Sequence, residues 1–205
     1  DISAGTWSTP VDINAALGVG QPARGVTISK TRSGNLIACT GLSGTGGIAY
    51  KSTDSGASWS SISSPSEGTF TDAMLSASAN TGDDNDAAVF FQDTSADQIS
   101  VKVYDDSANT WTETTIATLV ESSGAYMSRA IRRSDGHTIL AFWNATDSAT
   151  ADLEVWDVNI STVSAVSKTA LANVETNLAE SGDCSVFIDQ SNDDLYVAYC
   201  TGTAY

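Results

Sequence analysis

Short apolar runs separated by polar turns recur along this chain at a nearly fixed interval. The runs at 36–39, 87–91, 138–143 and 195–200 are rich in β-branched and aromatic residues, and each follows a polar turn. Such runs predict β-strands joined by hairpin turns. We expect Cys39, Phe91, Trp143 and Cys200 to occupy one register, at steps of 52, 52 and 57 residues. A period of about 50 residues predicts a repeat architecture.

Each repeat is predicted to contain four strands. In the second unit the pattern places them at 73–79, 87–92, 98–104 and 110–116. Ile99, Val101 and Val103 alternate with polar residues, which is typical of a sheet with unlike faces. No segment shows a sustained helical period, and the best helical candidate, 171–180, is interpreted as a linker. Four antiparallel strands per repeat, stacked radially, predict an all-β fold, a β-propeller.

One octet carries a more specific signal than the apolar runs. The octet 52–59 follows the pattern Ser-x-Asp-x-Gly-x-(Ser/Thr)-Trp, with motif positions Ser52, Asp54, Gly56, Ser58 and Trp59. A second copy keeps Asp106 and Trp111 but replaces the glycine by Ala108. The pattern resembles the Asp box, or BNR repeat, of sialidase-like β-propellers. Asp54 is suited to accept hydrogen bonds from turn amides, and Gly56 to adopt a positive φ. The resemblance implies that these residues stabilise the fold, on the rim opposite the active face.

The repeats divide the chain into a single β-propeller domain or fragment. We expect an outer strand and linker at 1–20, blades at 21–66, 67–120 and 121–172, and an incomplete blade at 173–205. An open blade would expose unpaired strand edges, which proteins avoid. We therefore favour a larger propeller, most often six-bladed in the resembling superfamily, of which this chain is part. The alternative is a compact four-bladed ring closed by the N-terminal strand.

The net charge of the chain limits the classes of molecule that it can bind. The chain has nine basic and 25 acidic residues, a net charge of −16. This balance argues against nucleic acid, because phosphate binding needs clustered Lys and Arg, and against anionic lipid surfaces. There is no apolar run long enough to span a bilayer, so no membrane insertion is expected. An acidic, lysine-poor chain suits a protein exposed to salty water, and the resemblance to Asp-box propellers implies an extracellular or virion-surface location.

A sialidase would carry a fixed set of catalytic residues. The resemblance implies three arginines that clamp a carboxylate, a Tyr–Glu nucleophile pair and an Asp acid/base; Arg suits the clamp because its planar fork donates two parallel hydrogen bonds. Arg24 lies at the family's distance before the 34–38 strand, but without the Ile-Pro that should follow it. The stretch 41–50, where the second Arg and the Asp should lie, has no charged residue.

Other candidate site residues lie on predicted strands and loops. Arg129, together with Tyr126 and Arg24, is a candidate for binding an anionic sugar. Asp72, in a blade-to-blade loop, and Arg24 are the candidate catalytic residues, although glycosidases require paired carboxylates and nothing pairs Asp72. Arg132 and Arg133 are interpreted as offsetting carboxylates near a turn.

We expect no cofactor. His137 is the only histidine, which excludes sites that need several; if a metal ion binds, the oxygen-rich runs 83–86 and 192–194 would suit Ca²⁺. Cys184 and Cys200 flank one hairpin turn and are either a disulfide or two buried thiols. Cys39 is unpaired in both cases.

The leading hypothesis is a non-catalytic or catalytically degenerate propeller that acts as a recognition or structural module, with a glycan or a partner subunit as its ligand. One alternative is an exo-sialidase or related glycoside hydrolase with part of its active site outside this chain. Another is an architectural subunit of a fibre or appendage, held by homo-oligomer contacts.

Overall fold

The computed structural model describes residues 9–11, 13, 23–42, 46–65, 76–77, 86–93, 96–119, 127–144, 153–174 and 184–199. Across these residues the fold is all-β, with antiparallel strands and no helix. The strands form three four-stranded sheets and one two-stranded sheet, and within each sheet the strands follow one another in chain order.

The strand bounds follow the repeat. Sheet 1 contains β1 (Ala23–Lys30), β2 (Leu36–Leu42), β3 (Gly46–Ser52) and β4 (Ser60–Ser61). Sheet 2 contains β5 (Ser76–Ala77), β6 (Ala87–Asp93), β7 (Gln98–Asp105) and β8 (Thr110–Thr118). Sheet 3 contains β9 (Met127–Ile131), β10 (Thr138–Trp143), β11 (Leu153–Thr162) and β12 (Ala165–Val174). Sheet 4 contains β13 (Cys184–Asp189) and β14 (Asp194–Tyr199).

The antiparallel four-stranded repeat predicted from the apolar runs is confirmed. The interpretation of 171–180 as a linker is wrong for its first part, because β12 continues to Val174, which pairs with Leu153. This strand lies at the edge of sheet 3 and Leu171 is exposed, so burial imposes no clear alternation on its sequence. Residues 175–180, and most of the predicted outer strand at 1–20, lie outside the described part of the chain.

Sheets that follow each other in the chain pack face to face, and the core lies in the layers between them. Ile37, Cys39 and Ala49 of sheet 1 meet Ala87, Val89 and Tyr104 of sheet 2. Ala88, Phe90 and Val101 of sheet 2 meet Leu140, Phe142 and Val158 of sheet 3, and Ile139, Ala141 and Val155 of sheet 3 meet Val186 and Ile188 of sheet 4. The first strands β1, β5, β9 and β13 contact one another in succession. The first strands therefore lie on one side of the stack of sheets.

The landmark register predicted from sequence is wrong at Phe91. Cys39 faces the next sheet in the chain, but the face of β6 that carries Val89 and Phe91 is turned toward the previous sheet. The residue of sheet 2 that matches Cys39 in facing the next sheet is Phe90. Because side chains alternate along a strand, an offset of one residue moves a side chain to the opposite face of the sheet. Both faces of β6 are apolar, so the sequence did not show the offset.

Candidate functional site

The turn at 52–59 is organised around one carboxylate. Asp54 Oδ1 accepts hydrogen bonds from Ser52 Oγ at 2.8 Å and the Ser58 amide at 2.9 Å, and its Oδ2 accepts one from Ser58 Oγ at 2.6 Å. Gly56 has a φ of +90°, and Trp59 Nε1 donates to the Gly56 carbonyl at 3.1 Å. The bonds from Ser58 and Ser52 lower the pKa of Asp54 from 3.8 to about 2. All of these contacts lie within the turn, so the turn stabilises itself.

The second copy of the motif forms a different turn. Here Asp105 accepts the capping bonds, from Ser107 Oγ at 2.7 Å and the Ala108 amide at 2.9 Å. Asp106, which aligns with Asp54, instead binds Lys51 of sheet 1 through both carboxylate oxygens, at 2.5 and 2.7 Å from Lys51 Nζ. Nothing in the spacing of the motif indicated that Lys51 would take part.

Trp111 also makes contacts unlike those of Trp59. Its Nε1 donates to the Ser63 carbonyl at 2.8 Å, and its ring lies 5.1 Å from the ring of Tyr104. Ser63 follows sheet 1 in the chain, so the bond from Trp111 crosses from sheet 2 to the first repeat. Together with the contact between Asp106 and Lys51, this bond joins the first two sheets.

Arg129 differs from Arg132 in having no anionic partner among the described residues. It lies on β9 opposite Leu140, on the face of sheet 3 turned toward sheet 2. Its side chain is half-buried, and within the described ranges its buried Nε has no hydrogen-bond partner. Burial lowers the pKa of the guanidinium, and no carboxylate in the described part of the chain offsets that effect. The sequence predicted Arg129 as a candidate site residue. It did not predict that Arg129 would have no anionic partner among the described residues.

Arg132, three residues further on, is fully paired. Its Nη2 lies 2.5 Å from Asp135 Oδ2 and 2.7 Å from Asp157 Oδ2. The hydrogen bond with Asp135 is the main cause of its raised pKa. His137 completes the cluster, with Nδ1 2.7 Å from Asp157 Oδ1. This pairing agrees with the interpretation that Arg132 offsets carboxylates near a turn.

The remaining candidate residues are only partly described. Arg24 lies on β1 opposite Gly41, beside an irregularity in the ladder. Like Arg129 it belongs to a first strand, and the first strands contact one another in succession. Asp72 and Tyr126 lie outside the described residues. The structure therefore places Arg24 and Arg129 on the same side of the stack of sheets.

No group of three or more His, Cys, Asp and Glu within the described ranges is arranged to hold a metal ion. The same ranges contain no helix long and apolar enough to cross a membrane. The Sγ of Cys184 lies 3.6 Å from the Ala141 carbonyl oxygen. Tyr199 is the residue directly opposite Cys184 on β14, and Cys200 lies beyond the described residues. Burial raises the pKa of Cys39 to about 12.

Comparison with solved structures identifies sialidases as similar in fold. A crystal structure of the NanB sialidase from Streptococcus pneumoniae matches with a TM-score of 0.58 and 20% sequence identity, over 85% of this chain and 27% of NanB. A second NanB structure, with Optactamide, matches with a TM-score of 0.55 over the same shares. This chain thus spans about a quarter of the length of NanB. No model of a protein family and no curated protein sequence matches the chain. The similarity shows a sialidase-like fold.

Proposed function

We propose that this chain is part of a sialidase-like β-propeller that recognises an acidic sugar without hydrolysing it. The observation that carries the proposal is the half-buried Arg129, whose buried Nε has no partner among the described residues of a chain with 25 acidic and nine basic residues. A buried charge without a counter-charge is unfavourable. With acidic residues so abundant, a guanidinium left unpaired in the described part of the chain points to an anion that a ligand supplies.

A carboxylate is the anion that suits this residue. The guanidinium is planar and donates two parallel hydrogen bonds to a carboxylate, which fixes both distance and orientation. The net charge of −16 repels polyanions at long range. A small sugar with one carboxylate is repelled only weakly, because it carries a single negative charge. Nucleic acid or a polysulfated chain carries many negative charges and is repelled strongly. The acidic sugar is therefore the ligand class that we propose.

The propeller part of the proposal rests on how the sheets are stacked. Each sheet is an antiparallel meander that packs on the next, with the first strands together on one side. We interpret the 52–59 turn as an Asp box and the four sheets as four blades, with the boundary between the third and the fourth after Val174 instead of at 172. The proposal holds for a partial six-bladed and for a compact four-bladed propeller. We place the protein outside the cell or on a virion surface, where glycans are accessible.

Titration of the protein with a methyl sialoside, monitored by isothermal calorimetry or ligand-observed NMR, tests the proposal. A methyl galactoside, which lacks the carboxylate, is the ligand control. We expect Arg129→Met to weaken sialoside binding by about tenfold or more, which corresponds to the loss of one charge-assisted contact. Arg133→Met is the matched control, because Arg133 is exposed and the charge change is identical. Equal losses in both variants, or no binding of any acidic sugar on a glycan array, would contradict the proposal.

The second candidate is an exo-acting sialidase or related glycoside hydrolase with part of its active site outside this chain. The similarity to NanB and the position of Arg24 favour it. Incubation with a fluorogenic sialoside, then with a panel of neutral fluorogenic glycosides, separates the two candidates. Turnover that Arg24→Ala abolishes would establish the enzyme and rule out the non-catalytic hypothesis.

A further inference from the structure

The chain contains two Asn-x-Ser/Thr sequons to which the recognition of a sugar gives no role. They lie at 144–146 (Asn-Ala-Thr) and 159–161 (Asn-Ile-Ser). This tripeptide is the acceptor sequence for N-linked glycosylation in secreted proteins. Because the attached oligosaccharide is bulky and hydrated, a glycosylated asparagine has to lie at the surface of the folded protein. The structure separates the two sequons on this criterion.

The first sequon has a buried asparagine. Asn144 follows β10 and is only 4% exposed. Its Nδ2 donates to the Thr118 carbonyl oxygen at 3.2 Å and to Glu154 Oε1. Glu154 Oε2 also accepts a hydrogen bond from Trp156 Nε1 at 2.6 Å. A sugar on Asn144 Nδ2 would break this buried network, so we expect no glycan there in the folded protein.

The second sequon has an accessible asparagine. Asn159 lies near the end of β11, beside the short turn to β12. Its side chain is half-buried and makes no hydrogen bond within the described ranges. Its amide is also absent from the buried polar atoms that lack a partner there. An amide that is neither hydrogen-bonded nor buried is open to solvent, so Asn159 Nδ2 is available for modification.

The hydroxyl residue of this sequon lies at an irregularity in the β11–β12 ladder. Ile160 pairs with Val166 and Thr162 pairs with Ala165, so Ser161 has no residue opposite it. Ser161 is exposed. An extra residue of this kind disrupts the ladder locally and bends the strand. The sequon therefore lies at the exposed end of a hairpin, outside the regular part of the sheet.

The matching position of sheet 2 shows that a neighbouring sheet leaves this end of the hairpin accessible. Asn159 and Asp105 each directly follow the residue that forms the last pair with the second strand of the sheet, Val158 and Tyr104 respectively. Because Val158 and Tyr104 pack toward the previous sheet, Asn159 and Asp105 both face the next one. Sheet 3 covers that face of sheet 2, yet Asp105 is only half-buried.

We propose that Asn159 carries an N-linked glycan and that Asn144 does not. The inference rests on the proposed location outside the cell or on a virion surface, because the modifying enzyme acts on proteins that enter the secretory pathway. It does not depend on Arg129. The glycan is attached at the end of sheet 3 that carries the β9–β10 turn, since Val158 pairs with Thr138, the first residue of β10.

The modification is a group transfer from a lipid-linked oligosaccharide pyrophosphate, catalysed by a membrane oligosaccharyltransferase. Asn159 Nδ2 forms a bond to the anomeric carbon of the oligosaccharide and loses a proton. The bond between that carbon and the pyrophosphate oxygen breaks, and the lipid pyrophosphate leaves. No oxidant or reductant is needed.

Secretion of the full chain from a eukaryotic cell line, followed by peptide mapping by mass spectrometry, tests the proposal. We expect the peptide that contains 159–161 to carry a glycan, and peptide N-glycosidase to remove it and convert the asparagine to aspartate. Asn159→Gln and Ser161→Ala should each abolish the glycan, and Ser161→Thr should retain it. Thr146→Ala is the matched control, because it removes the other sequon, leaves Asn144 in place and should change nothing.

Circular dichroism of the secreted protein verifies that the fold is retained. A folded protein without a glycan at Asn159, or with one at Asn144, overturns the proposal. Secretion of Asn159→Gln but not of the wild type also contradicts it, because the glycan would then prevent folding. These results leave the recognition of an acidic sugar untouched, since the sialoside titration of Arg129→Met tests that function separately.

Discussion

Lys51 and Asp106 form an ion pair across the boundary between the first two sheets, with Lys51 Nζ 2.5 Å from Asp106 Oδ1. Only 20% and 16% of the two side chains are exposed. The Asp106 amide also donates to Asp86 Oδ1 at 3.2 Å. The motif alignment assigns the Asp106 carboxylate to a turn, but in the structure it connects sheet 2 to sheet 1.

Removing one partner of this pair leaves a half-buried charge without its counter-charge. We expect Lys51→Met to lower the free energy of unfolding by about 1.5 kcal/mol, between the values typical of exposed and buried pairs. Urea denaturation measures this change. Arg32→Met removes the same charge at an exposed turn position and should change stability by less than about 0.5 kcal/mol. If Asp106→Asn in the Lys51→Met background causes the same further loss as it does alone, the two residues are not coupled.

The lowered pKa of Asp54 makes its turn sensitive to acid. Because the folded-state pKa of about 2 lies below the ordinary 3.8, the carboxylate stabilises the fold above 3.8, and this contribution disappears as the pH falls toward 2. Asp54→Asn should therefore be less stable than the wild type at neutral pH, and the difference should shrink near pH 2. Denaturation midpoints across this range measure it. Asp97→Asn is the control for charge; a similar pH-dependent difference there would argue against a specific role of the Asp54 bonds.

Two glycines share a positive φ but differ in their surroundings. Gly34 has a φ of +97°, and a Cβ added there would meet nothing within 4 Å, whereas a Cβ added at Gly56 would lie an ordinary 3.6 Å from Leu36 Cδ1. Neither site is crowded, so alanine should cost about 1–2 kcal/mol at both, from the backbone conformation alone. Thermal denaturation of Gly34→Ala and Gly56→Ala measures the cost. A loss confined to Gly56→Ala would show that packing in the 52–59 turn matters more than φ.

Arg129 is expected to lower the stability of the protein while supporting its binding. Replacing a half-buried guanidinium that is unpaired among the described residues by an apolar chain removes the desolvation cost, so Arg129→Met should raise the free energy of unfolding by about 1 kcal/mol. A residue that served the fold would show the opposite sign. Urea denaturation of Arg129→Met beside Arg133→Met decides between these outcomes, and a destabilised Arg129→Met would assign Arg129 a structural role.

Sequence reasoning succeeded where one local signal was sufficient. Alternation at Ile99, Val101 and Val103 predicted β7, and the turn residues around 52–59 predicted a turn with a positive φ at Gly56. Such signals depend on neighbours within a few residues, so they can be read from the sequence. The end of the edge strand β12, at 171–174, was taken for a linker because an exposed strand has no buried face to impose alternation.

The candidate site was predictable in its residue types but not in its contacts. Arg129 and Arg132 are similar in their sequence setting, yet the structure pairs Arg132 with Asp135 and Asp157 and leaves the buried Nε of Arg129 without a partner in the described ranges. Arg132 directly follows β9 and Asp157 lies on β11, so only the pairing of both strands with β10 brings the two residues together. Charge pairing across strands depends on register, which the spacing of charges along the chain does not reveal.

The sequence by itself determined the strands, the repeat of antiparallel meanders and the self-contained 52–59 turn, because each depends on the local alternation of side chains or on turn chemistry. The tertiary structure alone decided which face of each strand meets which neighbour: Phe90, and not the predicted Phe91, matches Cys39 in facing the next sheet. It also decided which charges are paired. The physical reason is that a strand such as β6 is buried and apolar on both faces, so only packing against adjacent sheets fixes its orientation.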